Sequence, residues 1–193
     1  MERKIYASFD EEGVYVYQAF KPSIVKMAVE LDTFGKGFGL ERITWIKPSF
    51  AWILRRSEYA SKHRMESIAR IKISHESWLA ILWQSVEAHW NEAVYEKEFD
   101  WQVALKNSDV IHQWDPERGL DGRRLARQAI QVGIRGNVIK QYVSDYIVSV
   151  ADVTPLAKEI GRLSKLKQAI SVIVPEERVY PIPKELFDKL GCC

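Results

Sequence analysis

Apolar and polar positions alternate along Ser67-Ile68-Ala69-Arg70-Ile71-Lys72-Ile73, broken only by the adjacent Ile68 and Ala69, the pattern of a half-buried strand. Upstream, the β-branched and aromatic runs Ile5-Tyr6-Ala7-Ser8-Phe9 and Val14-Tyr15-Val16-Tyr17-Gln18-Ala19-Phe20 are split by Asp10-Glu11-Glu12-Gly13, which predicts a hairpin with an acidic turn. Pro22 then suits the first turn of a helix that buries Ile24, Ala28, Leu31 and Phe34. Gly35, Gly37 and Gly39 close it in a loop; their G-x-G-x-G spacing is not the dinucleotide fingerprint. Ile43, Trp45 and Ile46 read as a short strand, and Pro48 as the first turn of a helix presenting Phe50, Ile53, Leu54 and Ser57.

Ser74 is placed to cap a helix in which Trp78, Leu79, Leu82, Trp83, Val86 and Trp90 recur at three- and four-residue intervals, an aromatic stripe expected in the core. A short helix is expected within residues 95–105, then a strand, Val110-Ile111-His112-Gln113-Trp114, ended by the turn Asp115-Pro116-Glu117-Arg118-Gly119. Ala129-Ile130-Gln131-Val132-Gly133-Ile134 reads as a strand, residues 137–143 as a short helix, and residues 146–153 as the clearest strand of the chain. Thr154 and Pro155 read as N-cap and first-turn proline of a helix carrying Leu156, Ile160, Leu163 and Leu166. A last strand over residues 170–174 and a short terminal helix beyond Pro181 and Pro183 complete the reading. Strands and helices mix without a βαβ rhythm, so the expected class is α+β, with a mixed or antiparallel sheet of short strands and flanking helices in one domain spanning residues 1–190.

The chain has 193 residues, 47% hydrophobic and 28% charged, as in a soluble globular protein, and no apolar run approaches the roughly 18 residues that cross a bilayer. Charge at residues 2–4 excludes a signal peptide's apolar core, so a cytoplasmic or nuclear location and no membrane partner are expected. The formal charge is only +2, yet cations cluster in two places: Arg42, Lys47, Arg55, Arg56, Lys62, Arg64, Arg70 and Lys72, and then Arg118, Arg123, Arg124, Arg127 and Arg135. They form either one basic patch or a dispersed solvated surface. Cys192 and Cys193 are adjacent and leave no spacing for a structural disulfide; a disordered tail is expected there.

Chemistry is narrowed by what the chain lacks. Its four histidines have no metal-ligand spacing, so no metal is expected, and there is no nucleophile elbow, Walker loop or interior cysteine. What remains is a set of arginines and aromatics at strand ends: Arg3, Tyr17, Gln18, Trp45, Lys47, Ser49, Arg55, Trp114, Asp115 and Arg118 as ligand-binding candidates. Trp45 and Trp114 would stack on a planar ring, or pack in the core as strand tryptophans do. Arg55 and Arg118 would clamp phosphate bidentately. Gln18 and Gln131, in apolar strands, either tie strands together or face a pocket.

The runs Arg3-x-Ile5-x-Ala7, Val16-Tyr17-Gln18-Ala19-Phe20, Thr44-Trp45-Ile46-Lys47-Pro48-Ser49-Phe50-x-Trp52, Arg56-Ser57, Gln113-Trp114-Asp115-Pro116-Glu117-Arg118, Ile130-Gln131-Val132-Gly133 and Asp152-Val153-Thr154 resemble the domain-of-unknown-function family numbered 4291, over about residues 3–155. That family brings no established activity. The order of a first strand bearing Arg3, the Pro22 helix, the Trp45 corner and the Ile68 strand also resembles the ADP-ribosyltransferase fold. That likeness implies NAD as substrate, Arg3 on its phosphate or ribose and Trp45 on nicotinamide. A carboxylate would then stabilise the oxocarbenium ion left when nicotinamide departs. The late strand carries Gln131-x-Gly133 where that fold's glutamate belongs, so Glu117 would serve in its stead and Glu117 and Gln131 are the catalytic candidates. The expectation is a protein that binds a nucleotide-like small molecule, NAD, and transfers ADP-ribose or a glycosyl group. The alternatives are a non-catalytic module for RNA or single-stranded DNA, and an interaction or scaffold protein.

Overall fold

The computed structural model describes residues 1–168, 170 and 174–193. In chain order its elements are strands β1 (Glu2–Arg3), β2 (Tyr6–Ala7) and β3 (Gly13–Phe20), helix α1 (Pro22–Leu31), strand β4 (Thr44–Ile46), helix α2 (Phe50–Arg56), strand β5 (Ser67–Ser74), helix α3 (His75–Gln84) and strand β6 (Val86–Glu87). They continue with helix α4 (Glu98–Asn107), strands β7 (Val110–Arg118) and β8 (Arg124–Ile134), helix α5 (Gly136–Gln141) running into a π turn at Tyr142–Tyr146, strand β9 (Ile147–Asp152), helix α6 (Thr154–Lys165), strand β10 (Arg178–Val179) and helix α7 (Lys184–Lys189). The class is α+β. The strand expected over residues 170–174 lies largely outside the described residues. No helix of the described residues is long and apolar enough to cross a membrane.

Two sheets carry the site. In the first, β3 and β9 flank β5, all antiparallel. Period-2 alternation sorts its side chains: Val14, Val16, Phe20, Ala69, Ile71 and Ile73 enter the main core, while Tyr17 and Ile68 point the other way into a second cluster with Phe50, Ile53 and Leu54 of α2 and Ala157 and Ile160 of α6. The second sheet is built on the antiparallel β7–β8 hairpin, with β6 parallel on β7, and both β4 and β1 along β8. One bridge joins the sheets at the strand-to-helix corner, where the Tyr17 N–H donates to the Lys47 carbonyl at 2.7 Å.

Pro22 opens α1 and Ser74 caps α3, accepting from the Ser77 N–H at 3.1 Å, both as expected. Elsewhere local signals yield to tertiary pairing. Phe9 and Val14 form only an isolated bridge, so the expected amino-terminal hairpin is vestigial and β3 pairs instead along its full length with β5. Pro48 precedes α2; the N-cap is Ser49, whose Oγ accepts from the Trp52 N–H at 3.2 Å. The expected turn at residues 115–119 is strand, because Asp115 and Pro116 pair with Ala129 and Gln128, and the reversal falls at Gly119 and Gly122 with a bulge between Pro116 and Arg118. Thr154 sits inside α6 and its Oγ1 accepts instead from the Ile68 N–H at 2.9 Å. The tryptophan stripe divides: Trp78 is fully buried, whereas Trp83 and Trp90 are exposed. Cys193 is tied down, exchanging two backbone hydrogen bonds with Arg3, which corrects the expectation of a disordered tail.

Candidate functional site

The corner between the two sheets forms an open cavity of about 1120 Å³, lined by Gln18 from β3, Trp45 and Lys47 from β4 and its exit, Trp52 and Arg56 from α2, and Gln113, Asp115 and Gln131 from the β7–β8 hairpin. The loop after α1 contributes Gly37, Gly39 and Arg42, and Lys21, His63 and Arg64 complete the rim. Strand alternation explains the floor. His112 and Trp114 are buried on one side of β7, so Gln113 and Asp115 share the other, and Gln131 stands directly across from Gln113.

The floor is a connected amide–carboxylate network. Gln113 Nε2 donates to Asp115 Oδ1 at 3.0 Å and Gln131 Nε2 donates to Asp115 Oδ2 at 2.5 Å. Gln18 does both things open to it. Its Nε2 donates to Thr44 Oγ1 at 2.8 Å and to the Trp45 carbonyl at 3.2 Å while its Oε1 accepts from the Tyr142 hydroxyl at 3.0 Å, tying β3 to β4, and it lines the cavity as well. A buried amide is thus fully used.

Lys47 is the most unusual group. It is only 6% exposed, its Nζ donates to the Trp45 carbonyl at 3.1 Å, and the Trp52 ring centroid lies 5.0 Å away. Burial, helped by the Arg56 charge and opposed by Asp115, pushes the ammonium down to about 7. The wall is otherwise cationic: Lys21, Arg42, Arg56 and Arg64 line it, against the single carboxylate of Asp115.

A second, smaller cavity of about 310 Å³ shares Trp52, Arg56 and Asp115 with the first and adds Arg55, Glu58, Lys62, Pro116 and Arg118. Members of both basic clusters therefore meet here. Others do not: Arg127 stacks on the Tyr6 ring at 3.6 Å, Arg135 donates to the Ser108 carbonyl, Arg123 pairs with Asp121, and Lys72 with Asp10 and Glu12.

Of the candidates, Gln18, Trp45, Lys47, Asp115 and Gln131 come together in the large cavity, and Arg55 and Arg118 in its neighbour. Five do not join them. Arg3 pairs with Glu87 at 3.1 Å and Gln128 at 2.8 Å. Tyr17 is wholly buried against Phe50, ring centroids 4.9 Å apart. Trp114 is buried and donates to the Leu190 carbonyl at 2.9 Å. Ser49 and Glu117 hydrogen-bond each other at 2.6 Å under the start of α2, where Glu177 accepts from the Phe50 N–H, also at 2.6 Å. Burial raises both carboxyls, Glu177 to about 8. Arg3 and Trp114 thus lie outside both cavities, their polar groups bound within the fold.

Trp52, Arg56 and Gln113 were not among the candidates, although each had a signal. Trp52 and Arg56 are four residues apart on one helix face, and Gln113 precedes Asp115 by the two residues that keep strand side chains on one side. Among the described residues no group of three or more His, Cys, Asp and Glu could hold a metal ion.

No curated protein matches the chain. The runs that build the cavity, from Val16 through the Trp45 corner to Gln131 and Gly133, lie within residues 4–180, which match the family model described as Domain of unknown function (DUF4291), and the protein belongs to that family.

Proposed function

We propose that the corner cavity binds a phosphate-bearing, nucleotide-like small molecule, with NAD as the first member of that class to test. One observation carries the reading: four wall cations and two half-buried indoles, Trp45 and Trp52, surround a floor of three amides and one carboxylate. Guanidinium groups suit phosphate oxygens, indole faces suit planar rings, and amides suit the edges of a base or the hydroxyls of a ribose. Transfer of ADP-ribose or a glycosyl group is the reaction that goes with NAD. In this cavity the carboxylate available to an oxocarbenium ion is Asp115, held by Gln113 and Gln131, since Glu117 lies outside it.

Thermal unfolding with NAD, ADP-ribose and ATP tests the reading. A ligand at a hundred times its dissociation constant adds about 2.7 kcal/mol of stability, and Arg56→Ala should abolish most of that gain. Absence of stabilisation by all three would defeat it. A second reading has its own observation, the convergence of Arg55, Arg56, Lys62 and Arg118 with Trp52 around the smaller cavity, which suits the backbone and bases of single-stranded RNA or DNA. That reading requires affinity for an oligonucleotide that falls steeply with salt.

A further inference from the structure

We propose that Lys47 is a nucleophilic amine that condenses with an aldehyde or ketone entering the corner cavity, forming an imine at Nζ. The site shares its cavity with the ligand proposed above and rests on that reading only for the phosphate such a carbonyl compound would carry. Three geometric facts support it. Lys47 is buried, yet it is among the residues lining a cavity large enough for a small molecule. Its Nζ donates to the Trp45 carbonyl and, among the described residues, is paired with no carboxylate, unlike Lys72 with its Asp10 and Glu12 partners. The charged and titratable groups around the same cavity are Lys21, Arg42, Arg56, His63, Arg64 and Asp115, so cations outnumber the one acid and disfavour a further positive charge.

The chemistry closes without a co-reactant. The Nζ lone pair adds to the carbonyl carbon, the C=O π pair moves to oxygen, and a proton passes from nitrogen to oxygen to give a carbinolamine. Loss of the hydroxyl with the remaining amine proton releases one water and leaves C=N. Only the neutral amine can start this, and burial keeps a large fraction of Lys47 neutral near pH 7. An ordinary exposed lysine is neutral to roughly one part in 2,500 at that pH.

The test uses the intact protein with pyridoxal 5′-phosphate as probe, borohydride to reduce any imine, and peptide mapping of the modified lysines. Labelling of Lys47 at pH 7 should exceed that of any exposed lysine by at least about tenfold, with half-maximal rate near pH 7. Lys47→Met should remove that adduct and leave the slow background. Labelling spread over surface lysines with Lys47 unmodified, or Lys47 modified no faster than they are, would overturn the proposal on the wild-type protein alone, whatever the variant's folding. Pyridoxal without its phosphate separates the two readings. Equal rapid labelling of Lys47 by both aldehydes upholds the amine chemistry and counts against the phosphate-binding reading.

Discussion

Trp45 and Gly133 stand opposite each other across the β4–β8 ladder, and a Cβ placed at Gly133 would come within 3.2 Å of the indole Cε2 and 2.6 Å of Ile43 Cδ1. The glycine therefore gives the indole its seat on the sheet and hence its position in the cavity. Gly133→Ala should push the ring and Ile43 outward, costing about 1–2 kcal/mol of stability at most, because Ile43 can yield at its flexible end. Its larger effect should be on the ligand: NAD-induced stabilisation in a melting experiment should shrink well beyond what the stability change explains. Unchanged stabilisation would show that the indole's position is irrelevant to binding.

Lys47 makes stability depend on pH. Its folded value is held down to about 7, chiefly by burial, against an ordinary 10.5, so the folded protein prefers the neutral amine. The contribution is fully present above the unfolded value and is lost as pH falls through about 7. Lys47→Met should therefore stabilise most at pH 6, on the order of a few kcal/mol, and progressively less toward pH 10.5. Denaturant midpoints across that range read the trend, and a gain independent of pH would refute it.

Glu177 acts in the opposite sense. Burial raises its carboxyl to about 8 from an ordinary 4.5, with the nearby Glu117 adding to the rise and the Phe50 N–H opposing it. A raised carboxyl contributes stability that is present below 4.5 and lost as pH rises through about 8. Glu177→Gln keeps an oxygen to accept from Phe50 but cannot ionise, so its stability should gain on wild type as pH rises through that window and should exceed it above pH 8. A variant curve parallel to wild type would place the ionisation elsewhere.

Trp114 and Trp52 should separate cleanly. Trp114→Phe loses the hydrogen bond to the Leu190 carbonyl and should cost about 1–2 kcal/mol with NAD-induced stabilisation intact. Trp52→Ala should do the reverse, since its half-buried ring lines both cavities and lies over Lys47: little change in the melting point without ligand, and loss of the ligand response. Calorimetry on the two variants distinguishes them, and a ligand defect in Trp114→Phe would restore that residue to the site.

Periodicity and local chemistry determined much of this protein unaided: the α+β class, the strand character of β3 and β5, the Pro22 and Ser74 helix starts, and the cationic, aromatic corner at Trp45. These depend on neighbours a few residues away, which the chain states directly. Only the tertiary structure decided which of the corner's partners share a cavity. The Tyr17–Lys47 bridge closes two sheets over Lys47, the β7 pairing turns an apparent Asp-Pro turn into strand and sends Trp114 and Asp115 to opposite faces, and the β8 register seats Trp45 on Gly133. The first and last follow from pairings between segments remote in sequence, and the second from a hairpin whose reversal falls later than its Asp-Pro pair suggests. The desolvation that sets Lys47 apart exists only once those pairings have closed around it.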